Sequence, residues 1–295
     1  MTIAVCYLSP EGVVFGADST SSLNTAPGGF HFFNHNQKLF ELGDGGTLAM
    51  LTWGLGGLGT TSHRTLIADL AGDLEAAPAS TVEEVAVRWI DRFWDAYTSA
   101  LAAEIAHLKA LESLQPYAPS GIPAPDTRNE QQEYFFQNMK RHLVVGFCVG
   151  GYVMPDRTPH AYSMLFEPLG SKPQAVQIPP CTYDGWGAPN PIKRLVFGAD
   201  DELRADILAS SHWTGTDADL AQLLAQHAWQ HPMLPIRDAI DFVYACVYST
   251  IKAMKFSNFS QICGGPIEIG VITTDRRFRW VRHKEWDVAI TEGTP

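Results

Sequence analysis

Two short apolar runs open the chain. Ile3 to Leu8 and Val13 to Ala17 consist of strand formers, and Pro10-Glu11-Gly12 lies between them. Proline presets one dihedral and glycine is free to take a positive φ, so the connection is turn chemistry. The pattern predicts a largely buried β-hairpin that starts at Thr2 and ends at Asp18. The stretch from Ser19 to Gly29 is polar and predicts a loop. Lys38 to Leu42 alternates like a short strand, Gly43-Asp44-Gly45-Gly46 reads as a tight turn, and Thr47 to Trp53 is a further apolar strand. The first third is therefore expected to be an antiparallel sheet.

After Gly54-Leu-Gly-Gly-Leu-Gly59 the period changes. Thr60 to Leu74 is helical, and a second helix starts at Thr81 with Glu84 in capping-box position. Val82, Val85, Trp89, Phe93 and Tyr97 line one face of it, and the pattern runs to about Leu114. Four prolines between Gln115 and Asp126 predict a loop, and Asn129 to Arg141 a short helix. Strands return at Leu143–Val153, Ala161–Glu167 and Gln174–Ile178. Pro179 to Pro191 reads as loop, and Leu195 to Gly198 is short and apolar. Helices follow at Asp201–Leu208, Asp217–Trp229 and Arg237–Lys255, the last with Ile240, Val243, Val247, Ile251 and Met254 on one stripe. Strands Ile267–Thr273 and Phe278–Val281 close the pattern. Segregated blocks of strands and helices imply an α+β architecture of stacked antiparallel sheets with helices outside. With no clear linker, residues 1–295 are expected to form one domain.

The 295 residues are 45% hydrophobic and 18% charged, enough for a sizeable core. The formal net charge of −11 argues against nucleic acid and anionic membrane as partners. No apolar run approaches the ~18 residues that span a bilayer, and no secretion signal is legible. The five cysteines are scattered without a CxxC pair, and Cys6, Cys148 and Cys246 sit in apolar runs as small core residues. A reduced cytoplasm is the expected compartment.

Candidate chemistry begins at Thr2. An antiparallel hairpin brings its start and end side by side, so the Thr2 hydroxyl is expected close to the Asp18 carboxylate. Removal of Met1 would leave Thr2 with a free α-amine, which titrates near ~7.7–8.0 and can accept the hydroxyl proton. Position alone leaves Thr2 open between that role and an ordinary strand residue. Lys38 is similarly open: an exposed strand lysine, or a buried ammonium that neutralises Asp18 and tunes a nucleophile. Gly54-x-Gly56-x-x-Gly59 matches a dinucleotide fingerprint, but a second helix rather than a strand follows, and Asp73 falls in helical sequence. These glycines read better as a strand-to-helix turn whose exposed amides can hold an oxyanion. His227 with His231, and His31 with His35, have helical spacing without supporting ligands and read as solvent-facing. No metal or organic cofactor is expected.

Together these pieces resemble a family. Thr2-Ile-Ala-Val with Gly12-Val-Val-Phe-Gly-Ala-Asp18-Ser19 is similar to the N-terminus of proteasome β-type subunits and their bacterial relatives, the Anbu-like group among them, which are N-terminal nucleophile (Ntn) hydrolases. Lys38-Leu-Phe resembles the family's lysine strand, Trp53-Gly54 its glycine turn, Gly150-Gly151-Tyr152 with Tyr162-Ser163 its central hairpin, and Gly264-Gly265-Pro266-Ile267-Glu268-Ile269 its final Gly-Gly-Pro strand start. The resemblance implies a four-layer αββα sandwich (the Ntn-hydrolase fold), with Thr2 as nucleophile and its α-amine as base. It also implies that Asp18 and Lys38 tune the site and that the Gly54 amide holds the oxyanion. It further implies peptide or unfolded-protein substrates and homo-oligomeric rings or related assemblies, and it leaves open whether a partner ATPase exists. A catalytically impaired ring-forming scaffold and a small-molecule amidase are the alternatives. The chain departs from the family at Ala199, aligned to a serine of a Gly-Ser-Gly turn, and at Ser260 and Cys263, aligned to an Asp and a Ser. It is longer near 110–140, 179–192 and 209–235.

Overall fold

The structure is a computed structural model, and it describes residues 2–25, 29–119, 125–229, 233–258 and 263–284. Met1, His231 and Ser260, which figure in the expectations above, lie outside the described residues. In chain order the elements are β1 (Ile3–Ser9), β2 (Gly12–Ala17), β3 (Ser21–Thr25), β4 (Gly29–Phe33), β5 (Leu39–Glu41) and β6 (Leu48–Gly54), then α1 (His63–Ala76), α2 (Val82–Ala100), α3 (Ala102–Glu112) and α4 (Glu130–His142). Next come β7 (Val145–Gly151), β8 (His160–Phe166), β9 (Val176–Gln177) and β10 (Thr182–Gly187), then α5 (Asn190–Phe197), α6 (Asp201–Ala209), α7 (Asp217–His227) and α8 (Ile236–Phe256), and finally β11 (Glu268–Thr273) and β12 (Arg276–Arg282). The class is α+β with antiparallel sheets.

The chain divides into two compact units, residues 1–39 with 178–295, and residues 40–177. The first holds the sheet β10-β1-β2-β11-β12. Its three interior strands, β1, β2 and β11, are buried along their whole length, which is why they carry apolar residues at consecutive rather than alternate positions. Ile3, Val5, Tyr7 and Val14 pack with Val243, Cys246 and Val247 of α8 in one core. Tyr183 and Phe242 add an edge-on ring pair at 5.0 Å.

The second unit holds the sheet β5-β6-β7-β8-β9. Its core is aromatic. Trp89, Phe93 and Tyr97, three of the predicted stripe residues, are fully buried in α2. Phe93 meets Phe147 of β7 at 4.6 Å and Phe166 of β8 at 4.8 Å, both edge-on, the geometry that ring quadrupoles favour. The N-terminus of α2 differs slightly from the capping-box expectation. The Thr81 hydroxyl accepts from the Glu84 amide at 3.0 Å, but the Glu84 carboxylate accepts from Ser80 rather than Thr81.

Three expectations are corrected. The polar stretch after Asp18 pairs as a β3–β4 hairpin rather than lying as a loop. The long helix expected to about Leu114 is broken at Leu101, whose φ of −108° and ψ of 19° leave the helical region. The stretch Pro179 to Pro191 contains β10, and α5 follows at once with Pro191 in its first turn, where a missing N–H costs nothing.

Candidate active site

The hairpin of β1 and β2 does what its sequence requires and places Asp18 beside the start of β1. The Asp18 amide donates to the Ile3 carbonyl at 3.2 Å, and the Ile3 amide donates back to Asp18 Oδ1 at 3.0 Å. Thr2, one residue earlier, is itself buried. Asp18 is wholly buried, and four donors converge on its carboxylate. Oδ1 accepts from Ile3 and from Lys38 Nζ at 2.6 Å. Oδ2 accepts from the Thr20 amide at 3.2 Å and the Gly264 amide at 2.9 Å.

Lys38 is the buried ammonium of the two readings left open by sequence: it is 3% exposed. Its Nζ also donates to the Thr20 carbonyl at 2.6 Å. A buried charge survives only when paired and hydrogen-bonded, and each member of this pair satisfies the other. Neighbouring backbone is stitched in the same way. The Ser19 amide donates to the Gly264 carbonyl, and the Asn36 amide to the Ser19 carbonyl. The Ser19 hydroxyl is buried and has no hydrogen-bond partner among the described residues.

Cys263, where the resemblance aligned a serine, is fully buried at this network. Burial, joined by the Asp18 charge, pushes its thiol up to about 12. It is therefore a neutral thiol rather than a thiolate at ordinary pH.

Two features were not singled out from sequence. Gly187, at the end of β10, lies opposite Ile3 in the ladder. Its φ is +83°, and a Cβ there would stand 1.9 Å from the Thr2 carbonyl oxygen. Only glycine lets this backbone pass so close to Thr2. The signal was present in Gly185-Trp-Gly187, but the surrounding prolines masked it. Glu268 is a second wholly buried acid, paired across the ladder with Ala17, the neighbour of Asp18. It faces His283 Nδ1 at 2.8 Å and Lys284 Nζ at 3.2 Å. A lone glutamate inside an apolar strand was the available clue.

The remaining sequence candidates make none of the hydrogen bonds of this network among the described residues. Gly54 belongs to the second unit, where it closes β6, exposed, with φ +86°. Ala199 lies between α5 and α6, and Asp200 beside it caps α6 by accepting from the Leu203 amide at 2.8 Å. The glycine fingerprint leads from β6 into α1, but β6 pairs antiparallel with β7 and α2 follows α1. The parallel βαβ unit of a dinucleotide site is absent there. His31, His35 and His227 are exposed, as expected. Cys6, Cys148 and Cys246 are buried core residues. Among the described residues no helix is long and apolar enough to cross a membrane.

No family model matches the chain, and no curated protein does. Solved structures do match. A chain of the helical assembly of the Anbu complex from Pseudomonas aeruginosa is 16% identical, and the match covers 98% of this chain and 90% of that one at a TM-score of 0.51. The Anbu (Gly-1) mutant from Hyphomicrobium sp. strain MC1 is 14% identical over 99% and 91%, with TM-score 0.48. Anbu, an ancestral β-subunit, from Yersinia bercovieri is 11% identical over 96% and 88%, with TM-score 0.46. The likeness to the first of these establishes the fold, the α+β Ntn type expected from the sequence, and at that identity it speaks of fold alone.

Proposed function

We propose that this chain is an Ntn amide hydrolase whose nucleophile is Thr2, exposed by removal of Met1. The hydroxyl oxygen attacks an amide carbonyl carbon, and its proton passes to the Thr2 α-amine. Collapse of the adduct breaks the C–N bond, the proton goes to the leaving nitrogen, and an ester forms on Thr2. Water then hydrolyses that ester and restores the hydroxyl. Lys38 supplies a positive charge that favours the deprotonated hydroxyl, and Asp18 holds that side chain in place. The oxyanion role of Gly54 rests on the family resemblance alone.

One observation carries the reading. A buried Lys38–Asp18 pair is bonded directly to the amide of Ile3, the residue that follows Thr2. Burying two charges carries a desolvation cost that an apolar strand start would avoid, which supports a chemical task at this position. Peptides or unfolded protein are the substrate class, in a reduced cytoplasm. The chain is further read as assembling with copies of itself, as the Pseudomonas aeruginosa protein does in its helical assembly.

Intact-mass measurement and covalent labelling test the reading. The mature chain should begin at Thr2 and take up one β-lactone or epoxyketone probe, and Thr2→Ala should take up none. A chain that retains Met1 and stays unlabelled is the non-catalytic scaffold. A labelled chain that cleaves small amides but no peptide is the amidase.

A further inference from the structure

The chain is acidic, yet its last described strand is not. Residues 275–284 carry Arg276, Arg277, Arg279, Arg282 and Lys284 against one acid, Asp275, in a protein of net charge −11. The four arginines are exposed. Lys284 is taken by Glu268 and by the Asn36 carbonyl. Strand β12 is also the edge of its sheet, bonded only to β11 among the described residues, and Val281 on it is 48% exposed.

The opposite edge of the same sheet has the opposite character. Strand β10 forms that edge, and α5 to α7 follow it. Residues 190–229 hold six acids and three bases. Each base is committed to an ion pair: Lys193 to Asp201, Arg194 to Asp200 and Arg204 to Asp217. Glu202, Asp206 and Asp219 are left as exposed acids without a basic partner among the described residues. Large apolar side chains lie exposed among them. Phe197 is 42% and Trp229 62% exposed, and the Trp229 amide donates to the Val196 carbonyl, which ties residue 229 back to the end of α5.

The two edge strands, β10 and β12, lie about 19 Å apart at four spacings of ~4.8 Å. The arginines stand on the β12 edge, and the acidic helices are tied to β10 through the stacked Phe197 and Tyr183 rings at 6.0 Å, so the two surfaces lie on opposite sides of the sheet. They can meet between copies, head to tail. A contact between two different surfaces of identical chains is heterologous, and it propagates into a closed ring or an open helix. We propose that the arginine edge of β12 in one copy docks on the acidic, apolar face of α5–α7 in the next, and that this contact propagates the assembly. The inference rests on the self-assembly part of the reading above and not on turnover at Thr2.

A rival account is that the arginines merely keep an open strand edge from sticking, a common use of charge at sheet edges. Charge reversal separates the two, because glutamate protects an edge as well as arginine does. The full chain is followed by sedimentation velocity at low and high salt. Wild type should assemble, and salt should weaken the assembly. Arg277→Glu with Arg279→Glu, and separately Glu202→Lys with Asp206→Lys, should each raise the half-assembly concentration by more than about tenfold. Unchanged urea midpoints show that the variants fold. Mixed in equal amounts, the two reversed chains carry swapped but complementary surfaces, and large assemblies should return. If wild type assembles and either reversal leaves its size distribution unchanged, or the mixture fails to recover, the interface is wrong and self-assembly stands. A wild type that stays monomeric defeats both. Thr2→Ala should assemble like wild type, which keeps this outcome separate from the chemistry.

Discussion

Replacing Lys38 with Met removes one half of a buried ion pair and little volume. What it leaves is readable from the contacts. Asp18 keeps three backbone donors, from Ile3, Thr20 and Gly264, but loses the only cation hydrogen-bonded to it among the described residues. The Thr20 carbonyl loses its ammonium donor as well. Removing one partner of a buried pair costs about 3–5 kcal/mol. The three remaining amides disperse part of the stranded charge, so the lower end, about 3 kcal/mol, is expected here. Asp18→Asn in the same chain removes the stranded charge. The double variant should therefore be more stable than the sum of the two single losses by about 2 kcal/mol. The assay is a double-mutant cycle of urea unfolding at neutral pH followed by tryptophan fluorescence. A coupling within about 0.5 kcal/mol of zero would refute the account, because two groups that share a buried bond cannot be energetically independent. Labelling of Thr2 in Lys38→Met, measured well below its unfolding midpoint, should fall steeply, because the variant lacks the cation that favours the deprotonated hydroxyl.

Three further outcomes follow from the contacts. Gly187→Ala places a methyl group 1.9 Å from the Thr2 carbonyl oxygen at φ +83°, so it should displace the strand start and abolish labelling. Gly59→Ala, at φ +58° with nothing within 4 Å, should cost only about 1–2 kcal/mol and leave labelling intact; equal effects would show that strain alone is at work. His63 is buried against Phe93 and Phe147, with Nε2 unpartnered among the described residues. Burial lowers its pKa from 6.5 to about 4. The unfolded chain takes up that proton near pH 6.5 and the folded one only near 4. Stability should thus be complete above 6.5 and drain by about 3 kcal/mol as pH falls through this window. His63→Phe should flatten the profile of urea midpoints, and an undiminished slope in that variant would disprove it. Tyr97→Phe removes the buried bond to the Leu143 carbonyl at 3.0 Å and should cost about 1–2 kcal/mol in the same assay, with no change in labelling.

The elements legible in sequence were those that bury a continuous face. β1, β2, the α2 stripe and α8 each show their periodicity without help from distant residues. Asp18 and Lys38 were also legible as candidates, and their contact as one of two open readings, but 20 residues separate them and only the fold closes that distance. The misses have a common cause. β3 is Ser-Ser-Leu-Asn-Thr and β10 is Thr-Tyr-Asp-Gly-Trp-Gly, compositions with weak strand preference of their own. β10 exists because the open edge of β1 needs a partner for its backbone groups, a demand set by tertiary context. α5 was hidden by prolines that break a helix in its middle but suit its first turn. Helix α2 ends at Leu101 without a proline or glycine to announce it.

The Gly264 amide that reaches Asp18 comes from 246 residues further along the chain. Strand β2 likewise waits for β11. During synthesis the N-terminal hairpin emerges first, but its buried carboxylate lacks one of its four donors until Gly264 has left the ribosome. A nascent polypeptide stopped short of that residue holds Asp18 less firmly than the folded protein does.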